Sequence, residues 1–241
     1  KIDLLWFDGD WERSAAQWGL PEFKNYLLSF QKDMIINSRL RGYGDYATPE
    51  QGLPVIPPRG PWECCMTIND SWGYQGSDTH YKSLAQILRI FTDCISMGGN
   101  LLLDIGPRED GTIDERQVAI LKGLGSFVKR NTEAIYDTEA GLPPEHFAGA
   151  STLSKDKKTL YLFIPGVPSE GVCIKGLCSD IKSVTCLHSG KELRWDRYGG
   201  APWHGIPGLT WIFLPEEDCC RDMTVIKIEL ADAVRLYRPT E

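Results

Sequence analysis

The sequence lacks a long apolar run, an excess of basic residues and any low-complexity polar tract. No stretch approaches the roughly 18–20 apolar residues of a membrane-spanning helix, so we expect no membrane span. Lysine and arginine number 26 against 33 acidic residues, which leaves a formal net charge of -7. Because nucleic-acid phosphates would be repelled by this charge, we expect no nucleic-acid partner. A neutral or weakly charged ligand fits this composition better.

Metal-binding cysteine patterns are also missing. The chain has eight cysteines, but none forms a Cys-x-x-Cys pair and no histidine lies at zinc-finger spacing from them. Two of the sites are adjacent pairs, Cys64-Cys65 and Cys219-Cys220, which rarely bridge to each other. Buried free thiols are the simplest explanation. We therefore expect neither a metal nor another cofactor.

The first 140 residues alternate short apolar runs with helical patterns. The apolar runs cover residues 2–7, 34–37, 64–68 and 101–105. Alternation of strands and helices is typical of parallel α/β structure. About four strand–helix units are present, whereas a closed (β/α)8 barrel has eight. The pattern predicts an α/β fold in which residues 1–140 form about the second half of a (β/α)8-type barrel.

Two helices are well marked in this part. Leu84, Ile87, Leu88, Phe91 and Ile95 recur at helical spacing, so one face of the first helix is apolar. A second apolar face follows at residues 118–128. Residues 112–115, Thr-Ile-Asp-Glu, match a capping box and predict the start of this second helix.

Beyond residue 140 the chain becomes rich in β-strand patterns. Apolar runs at residues 159–164, 171–174, 183–187, 209–214 and 223–230 are separated by turn residues, without helical periodicity. An antiparallel β-sandwich spanning residues 141–241 is the natural interpretation. The sequence thus predicts two domains, 1–140 and 141–241.

The most informative carboxylate is Asp8, which directly follows the first apolar run and lies between Trp6 and Trp11. Sugars present apolar ring faces that stack on aromatic side chains, and oxocarbenium-like transition states need a nearby carboxylate. In α/β barrels the chemistry lies at the C-terminal ends of strands. The alternative is that Asp8 only caps the next turn. The composition alone leaves both interpretations open.

Glycoside hydrolysis needs a second carboxyl group. The candidates are Glu50, Glu63, Asp45, Asp70 and Asp10. Glu50 lies in an irregular loop after the second apolar run, where it could reach over a substrate. Glu63 enters the third run and is expected to lie deeper. A solvated surface position for Glu50 and a buried ion pair for Glu63 are the structural alternatives.

Several motifs occur in a fixed order over about residues 1–130. They are Trp6-Phe7-Asp8-Gly9, Asn37-x-Arg39, Tyr46-x-Thr48-x-Glu50, Trp62-Glu63 with Ser71-Trp72-Gly73-Tyr74, and residues 98–107 with Asp110-Gly111. In order and spacing they resemble the α-L-fucosidases of glycoside hydrolase family 29. The β-rich remainder is similar in character to the C-terminal sandwich of that family.

The resemblance implies a retaining exo-glycosidase that hydrolyses terminal α-L-fucosyl residues by double displacement without a metal. Asp8 matches the family nucleophile. Glu50 matches the acid/base, 42 residues later (50 - 8), and Glu63 is the runner-up for that role. Trp6 and Arg39 resemble the residues that contact fucose. We assign the Ser-Trp-Gly-Tyr and Gly-Gly-Asn elements to structure.

Both substrate-binding residues have ordinary structural alternatives. Arg39 could form a surface ion pair with Asp10 or Asp45, and Trp6 could be a core side chain. The resemblance further implies a fucosylated oligosaccharide or glycoconjugate as partner and a secreted, periplasmic or lysosomal location. It leaves room for a homo-oligomer.

Two other functions compete with this interpretation. The chain could be a non-catalytic fragment whose β-sandwich binds carbohydrate, with Trp195, Trp203 and Trp211 as an aromatic platform. It could also belong to a barrel glycosidase that acts on another sugar. Glycan binding by residues 142–241 alone would favour the first alternative, and a preference for other aryl glycosides would favour the second.

The family's earlier barrel strands, which supply histidines and aromatics to the fucose site, have no counterpart in this sequence. Without them, binding of the transition state would be much weaker. A half barrel would also expose open sheet edges. We therefore predict that the 241-residue chain alone is inactive or poorly soluble. Vigorous turnover of an aryl α-L-fucoside by this chain would contradict the prediction.

Overall fold

The chain begins with two short parallel strands that pack on a helix. In the computed structural model, which describes residues 1–238, β1 (Leu4–Leu5) pairs in parallel with β2 (Ile35–Ile36), and α1 (Glu22–Phe30) connects them. Leu5 and Ile36 are register partners and pack with α1 in a small core. The strands expected at 2–7 and 34–37 are confirmed in position, although each is shorter than its apolar run.

The next two strands also coincide with predicted runs. β3 (Glu63–Thr67) pairs with β4 (Asn100–Asp104), and the Asn100 backbone N–H donates to the Trp62 carbonyl at 3.1 Å. Between these strands in the sequence comes α2 (Leu84–Ser96), whose N-cap is Ser83. Ser83 and Gln86 form a reciprocal capping box there, so the helix start is fixed by side-chain hydrogen bonds.

The described chain forms two compact units. The first consists of Lys1–Met66 and Gly99–Leu103, and the second consists of Thr67–Gly98 and the chain from Asp104 onward. The domain division at residue 140 stays a prediction.

The second helix expected from the sequence is confirmed as α3 (Glu115–Arg130), but its predicted capping box is wrong. The N-cap is Asp114, whose carboxylate accepts from the Arg116 N–H at 2.9 Å. The Thr112 hydroxyl instead donates to Asp110 at 2.7 Å, because that threonine belongs to the preceding turn. Hydrogen bonds from Arg116 lower the pKa of Asp114 to about 2. A short helix, α4 (Thr132–Ile135), follows.

The remaining strands form two antiparallel sheets. The strands are β5 (Thr138–Ala140), β6 (Ala150–Ser154), β7 (Thr159–Ile164), β8 (Val172–Ile174), β9 (Ile181–Cys186), β10 (Trp195–Tyr198), β11 (Leu209–Ile212) and β12 (Thr224–Leu230). The first sheet has the order β5-β6-β7-β12-β9 and the second has the order β10-β11-β8. The expected strands are confirmed as β7, β8, β9, β11 and β12, whereas β5, β6 and β10 were not predicted.

The five-stranded sheet is covered on both faces. Alternate residues such as Leu162 and Ile226 pack into a core with the three-stranded sheet. On the other face, Phe163 and Val225 pack with Leu88 of α2 and Phe127 of α3. Burial on both faces explains why β7 reads as a continuous apolar run.

Within residues 1–238, no helix is both long and apolar enough to cross a membrane.

Gly99 lies against the ring of Trp62, which is 1% exposed. A Cβ atom at Gly99 would overlap that ring. We expect Gly99→Ala to lower the free energy of unfolding by about 1–3 kcal/mol, as overpacking does. Urea denaturation measures the change.

Gly125→Ala is the matched control, because a Cβ atom at this exposed position of α3 meets nothing within 4 Å. It should stabilise the protein by about 0.5–1 kcal/mol, the helix preference of alanine over glycine. Equal unfolding midpoints for Gly99→Ala and the parent protein would contradict the assignment.

Candidate active site

A buried amide holds the backbone immediately before Asp8. The Phe7 N–H donates to Asn37 Oδ1 at 2.8 Å, and Asn37 Nδ2 donates to the Phe7 carbonyl at 2.9 Å. Asn37 is fully buried. β1 and β2 are paired only as far as Leu5 and Ile36. The side-chain hydrogen bonds of Asn37 continue the contact between the two chain segments beyond that pair. Asp8 and Arg39, which follow Phe7 and Asn37, consequently lie side by side.

Arg39 brings two of the predicted carboxylates together. Its Nη1 donates to Asp8 Oδ1 at 2.7 Å, and its Nη2 pairs with Glu50 Oε2. The Arg39 side chain is only 13% exposed, whereas those of Asp8 and Glu50 are 58% and 45% exposed. A nearly buried cation therefore lies beneath two accessible anions.

The alternative ion pairs for Arg39 are not formed. Asp45 pairs with Lys24 at 2.7 Å and accepts from the Ile36 N–H at 2.8 Å. Asp10 accepts from the Arg41 backbone N–H at 2.5 Å. The interpretation of Arg39 as a surface ion pair with either aspartate is therefore wrong.

Two further contacts fix the Arg39 guanidinium. Its Nε donates to Thr48 Oγ1 at 3.3 Å, and its central carbon lies 4.6 Å from the centre of the Trp6 ring. Burial disfavours the charge, but hydrogen bonds and attraction from Glu50 and Asp8 outweigh it and raise the pKa of Arg39. The guanidinium therefore stays charged at every physiological pH.

Glu50 lies in the connection between β2 and β3, as expected, but its backbone is bridged to β3. Residues 46–51 of this connection, here called the inserted segment, form two isolated parallel bridges, from Ala47 to Trp62 and from Glu50 to Cys65 of β3. The Cys65 N–H donates to the Pro49 carbonyl at 2.9 Å, and the Gln51 N–H donates to the Cys65 carbonyl at 2.8 Å. The segment is poor in apolar residues, so its bridges leave no pattern in the sequence. Its pairing fixes the backbone of Glu50.

Glu63 is half-buried and has neutral partners. Its Oε1 accepts from Trp6 Nε1 at 3.3 Å and from the Tyr46 hydroxyl at 3.5 Å. Burial, followed by the charge of Glu63, raises the pKa of Tyr46 to about 12. The buried ion pair considered as the structural alternative for Glu63 is absent from the described residues.

Trp6 is not a core side chain. It is 37% exposed, and its indole N–H points to Glu63 while its ring faces Arg39. The alternative of an ordinary buried tryptophan is therefore wrong. All five residues predicted for the site thus belong to one hydrogen-bonded and stacked cluster.

The sequence missed three residues that hold this cluster. Asn37, Tyr46 and Thr48 entered only as members of motifs, without roles. Asn37 offered one signal, because it is a polar residue at the end of an apolar run. The hydroxyls of Tyr46 and Thr48 offered none.

The three tryptophans of the suggested carbohydrate platform do not share a face. Trp195 packs on the core between the sheets, whereas Trp211 pairs with Asp196 and so points to the opposite side. Trp203 lies in the connection between β10 and β11 and is 79% exposed. The platform is therefore not assembled.

Two accessible carboxylates on one guanidinium, beside an aromatic ring, suit hydrolysis of a neutral sugar. One carboxylate can attack carbon while the other moves a proton. In the described part of the chain, no group of three or more His, Cys, Asp or Glu side chains is arranged to hold a metal ion.

Comparison with known sequences identifies similar proteins. A family model described as "Alpha-L-fucosidase" matches residues 1–133. Plasma alpha-L-fucosidase of Homo sapiens is 32% identical over 213 residues, which cover 80% of this chain and 45% of that protein. Alpha-L-fucosidase of Branchiostoma floridae is 27% identical over 214 residues, covering 83% and 48%. The chain spans less than half the length of these relatives.

A solved structure is similar over nearly the whole chain. Alpha-L-fucosidase isoenzyme 1 from Paenibacillus thiaminolyticus superposes with a TM-score of 0.84 and 28% identity. The match covers 96% of this chain and 58% of that structure. The similarity of fold therefore extends beyond residue 133 into the antiparallel sheets.

Replacement of the buried amide should disturb the backbone at Phe7. Asn37→Ala leaves the Phe7 N–H and carbonyl without their partners, and each unsatisfied group costs roughly 1–3 kcal/mol. We expect a corresponding fall in the free energy of unfolding, measured by urea denaturation. Asn25→Ala, at an exposed position of α1, is the control and should change stability little. Equal midpoints for the two variants would show that the amide is not needed.

Proposed function

Because the chain belongs to the alpha-L-fucosidase family, we propose that it forms part of a retaining exo-glycosidase that releases terminal α-L-fucosyl residues from glycoconjugates. The observation that carries the proposal is the shared contact of Asp8 and Glu50 with Arg39. A fucosylated oligosaccharide or glycoconjugate would be the substrate.

The spacing of the carboxylates supports retention. Retaining glycosidases hold their two carboxyl groups about 5–5.5 Å apart, whereas inverting ones need about 6.5–9.5 Å to admit a water. Asp8 and Glu50 bind neighbouring nitrogens of one guanidinium, which favours the shorter separation. Asp8 is the proposed nucleophile, and Glu50 is the proposed acid/base.

In the first step, Asp8 attacks the anomeric carbon and the bond to the leaving oxygen breaks as Glu50 donates a proton to it. In the second, Glu50 removes a proton from water, the oxygen attacks the same carbon, and Asp8 leaves. Two displacements restore the original configuration. Arg39 stabilises Asp8 as an anion before attack and after release.

The ion pair with Arg39 places a constraint on Glu50. In that pair Glu50 is an anion, whereas the first step needs a protonated acid. Substrate binding therefore has to separate Glu50 from Arg39, and hydroxyl groups of the sugar are suitable replacement partners for the guanidinium. Trp6, which is 37% exposed, is the proposed apolar contact for the sugar.

We also propose the finer architecture, in which residues 1–140 form about the second half of a (β/α)8-type barrel and residues 141–241 a β-sandwich. Support comes from the first unit, where Leu4 and Ile35 are parallel register partners yet 40% and 46% exposed. Parallel sheets are normally covered on both faces. Further strands of a longer polypeptide would cover this apolar face, so activity is tested in that full-length polypeptide.

Azide rescue tests the roles of the two carboxylates through the configuration of the product. In Asp8→Ala, azide replaces the nucleophile and should give the inverted β-L-fucosyl azide from an activated aryl α-L-fucoside. In Glu50→Ala, azide attacks the glycosyl-enzyme and should give the retained α-L-fucosyl azide. Loss of acid/base catalysis should slow turnover without azide by roughly 10²–10⁴-fold. Proton NMR identifies the anomers.

Glu12→Ala, an exposed carboxylate outside the cluster, is the control and should turn over normally without azide products. Retained azide from Glu63→Ala rather than Glu50→Ala would move the acid/base role to Glu63. If the parent protein does not hydrolyse fucosides but hydrolyses another aryl glycoside, the proposed substrate is wrong.

A further inference from the structure

We propose that Glu63 is a positioning residue that orients Trp6 over the Arg39 guanidinium. This inference rests on the proposed function and adds a role that the two displacement steps leave unassigned. It also separates the role of Glu63 from that of Glu50, which pairs with Arg39 directly.

The first observation is the hydrogen bond from the indole. Trp6 Nε1 is the only hydrogen-bonding atom of that side chain, and it donates to Glu63 Oε1 at 3.3 Å. A hydrogen bond to a carboxylate is stronger than one to a neutral acceptor. Since Trp6 is 37% exposed, packing restrains its ring less than it restrains a buried tryptophan. The bond to Glu63 selects one orientation.

The second observation is the surface that this orientation presents. The Trp6 ring lies 4.6 Å from the central carbon of Arg39, within the range of a cation–π contact. Arg39 in turn binds Asp8 and Glu50. Glu63 therefore influences, through the orientation of Trp6, where the Arg39 guanidinium lies between the two carboxylates.

The third observation is the rigidity of the acceptor. The Glu63 N–H donates to the Ala47 carbonyl at 3.0 Å, and the Ala47 N–H donates to the Pro61 carbonyl at 3.1 Å. These bonds hold β3 against the inserted segment, which carries Tyr46. The Tyr46 hydroxyl donates to the same Glu63 oxygen at 3.5 Å, so two neutral donors converge on one atom.

Tyr46 acts as a donor over a wide pH range. Burial and the Glu63 carboxylate raise its pKa to about 12, so the phenol keeps its proton well into the alkaline range. Glu63 Oε1 thus has two persistent donors, and its orientation does not depend on the sugar. A fixed acceptor is what a positioning role needs.

The test compares Glu63→Gln with Glu63→Leu in the full-length polypeptide. Glutamine keeps an acceptor oxygen for Trp6, whereas leucine removes it. We expect Glu63→Leu to lower kcat/KM on an aryl α-L-fucoside roughly tenfold, mainly through kcat, the effect of losing one hydrogen bond to a charged group. Glu63→Gln should restore kcat/KM to within about threefold of the parent, because a neutral acceptor is weaker.

Trp6→Phe provides an independent variant, since it keeps an aromatic ring but loses the indole donor. If Glu63 acts through that donor, the Trp6→Phe and Glu63→Leu effects should not add in the double variant. Circular dichroism verifies folding, and if Glu63→Leu does not fold, the same cycle is made with Glu63→Gln, whose small loss should vanish in the Trp6→Phe background.

A Glu63→Gln variant that loses roughly 100-fold or more in kcat and regains activity with azide would overturn the inference, because glutamine cannot transfer the proton. Additive effects in the double variant would overturn it as well. If the parent protein does not hydrolyse fucosides at all, the proposed function fails first, and that result is distinct from a parent that is active while Glu63→Gln is not.

Discussion

One nearly buried guanidinium organises the candidate site. Arg39 is 13% exposed and pairs with two carboxylates that are themselves accessible. A cation in such a position is costly unless anions and hydrogen-bond acceptors surround it. The same need brings Asp8 and Glu50, which are far apart in the sequence, to one point. Removal of the cation would leave two like charges facing each other.

The frame around Arg39 is made of backbone pairing rather than of a large core. The Asn37 amide extends the β1–β2 contact to Asp8, and the inserted segment brings Glu50 beside β3. Both carboxylates are therefore attached to backbone that is hydrogen-bonded to its neighbours. Proton transfer and nucleophilic attack are sensitive to changes of about 0.5 Å in the separation of the reacting groups. Anchoring of both carboxylates to a paired backbone therefore favours catalysis.

The sequence predicted the strands of the first unit and most strands of the two antiparallel sheets, because their apolar runs are buried. It could not predict β6 or β10. β6 reads Ala-Ser-Thr-Leu-Ser, and its buried Thr152 is satisfied by donating to the Ala134 carbonyl, a contact that only the tertiary fold creates. β10 reads Trp-Asp-Arg-Tyr and is partly exposed. Sequence periodicity reveals strands whose apolar side chains are buried at regular spacing. Neither β6 nor β10 has such a regular apolar pattern.

The candidate site was likewise predicted only in part from the sequence. Asp8, Arg39 and Glu50 could be named from their motifs, but the backbone bridges of residues 46–51 could not, since they join a proline-containing polar segment to β3. The contacts of Trp6 with Glu63 and Arg39 likewise depend on side-chain directions. The motifs indicated which residues to expect at the site, and the tertiary fold determined which groups contact one another.

The most direct measurement of the central claim is the site of covalent attachment. The full-length polypeptide would be treated with 2-deoxy-2-fluoro-α-L-fucosyl fluoride, digested with trypsin and sequenced by tandem mass spectrometry. The account predicts a fluorofucosyl adduct on Asp8, within the tryptic peptide of residues 2–13. An adduct on the peptides of residues 42–59 or 60–82, which contain Glu50 and Glu63, would contradict it.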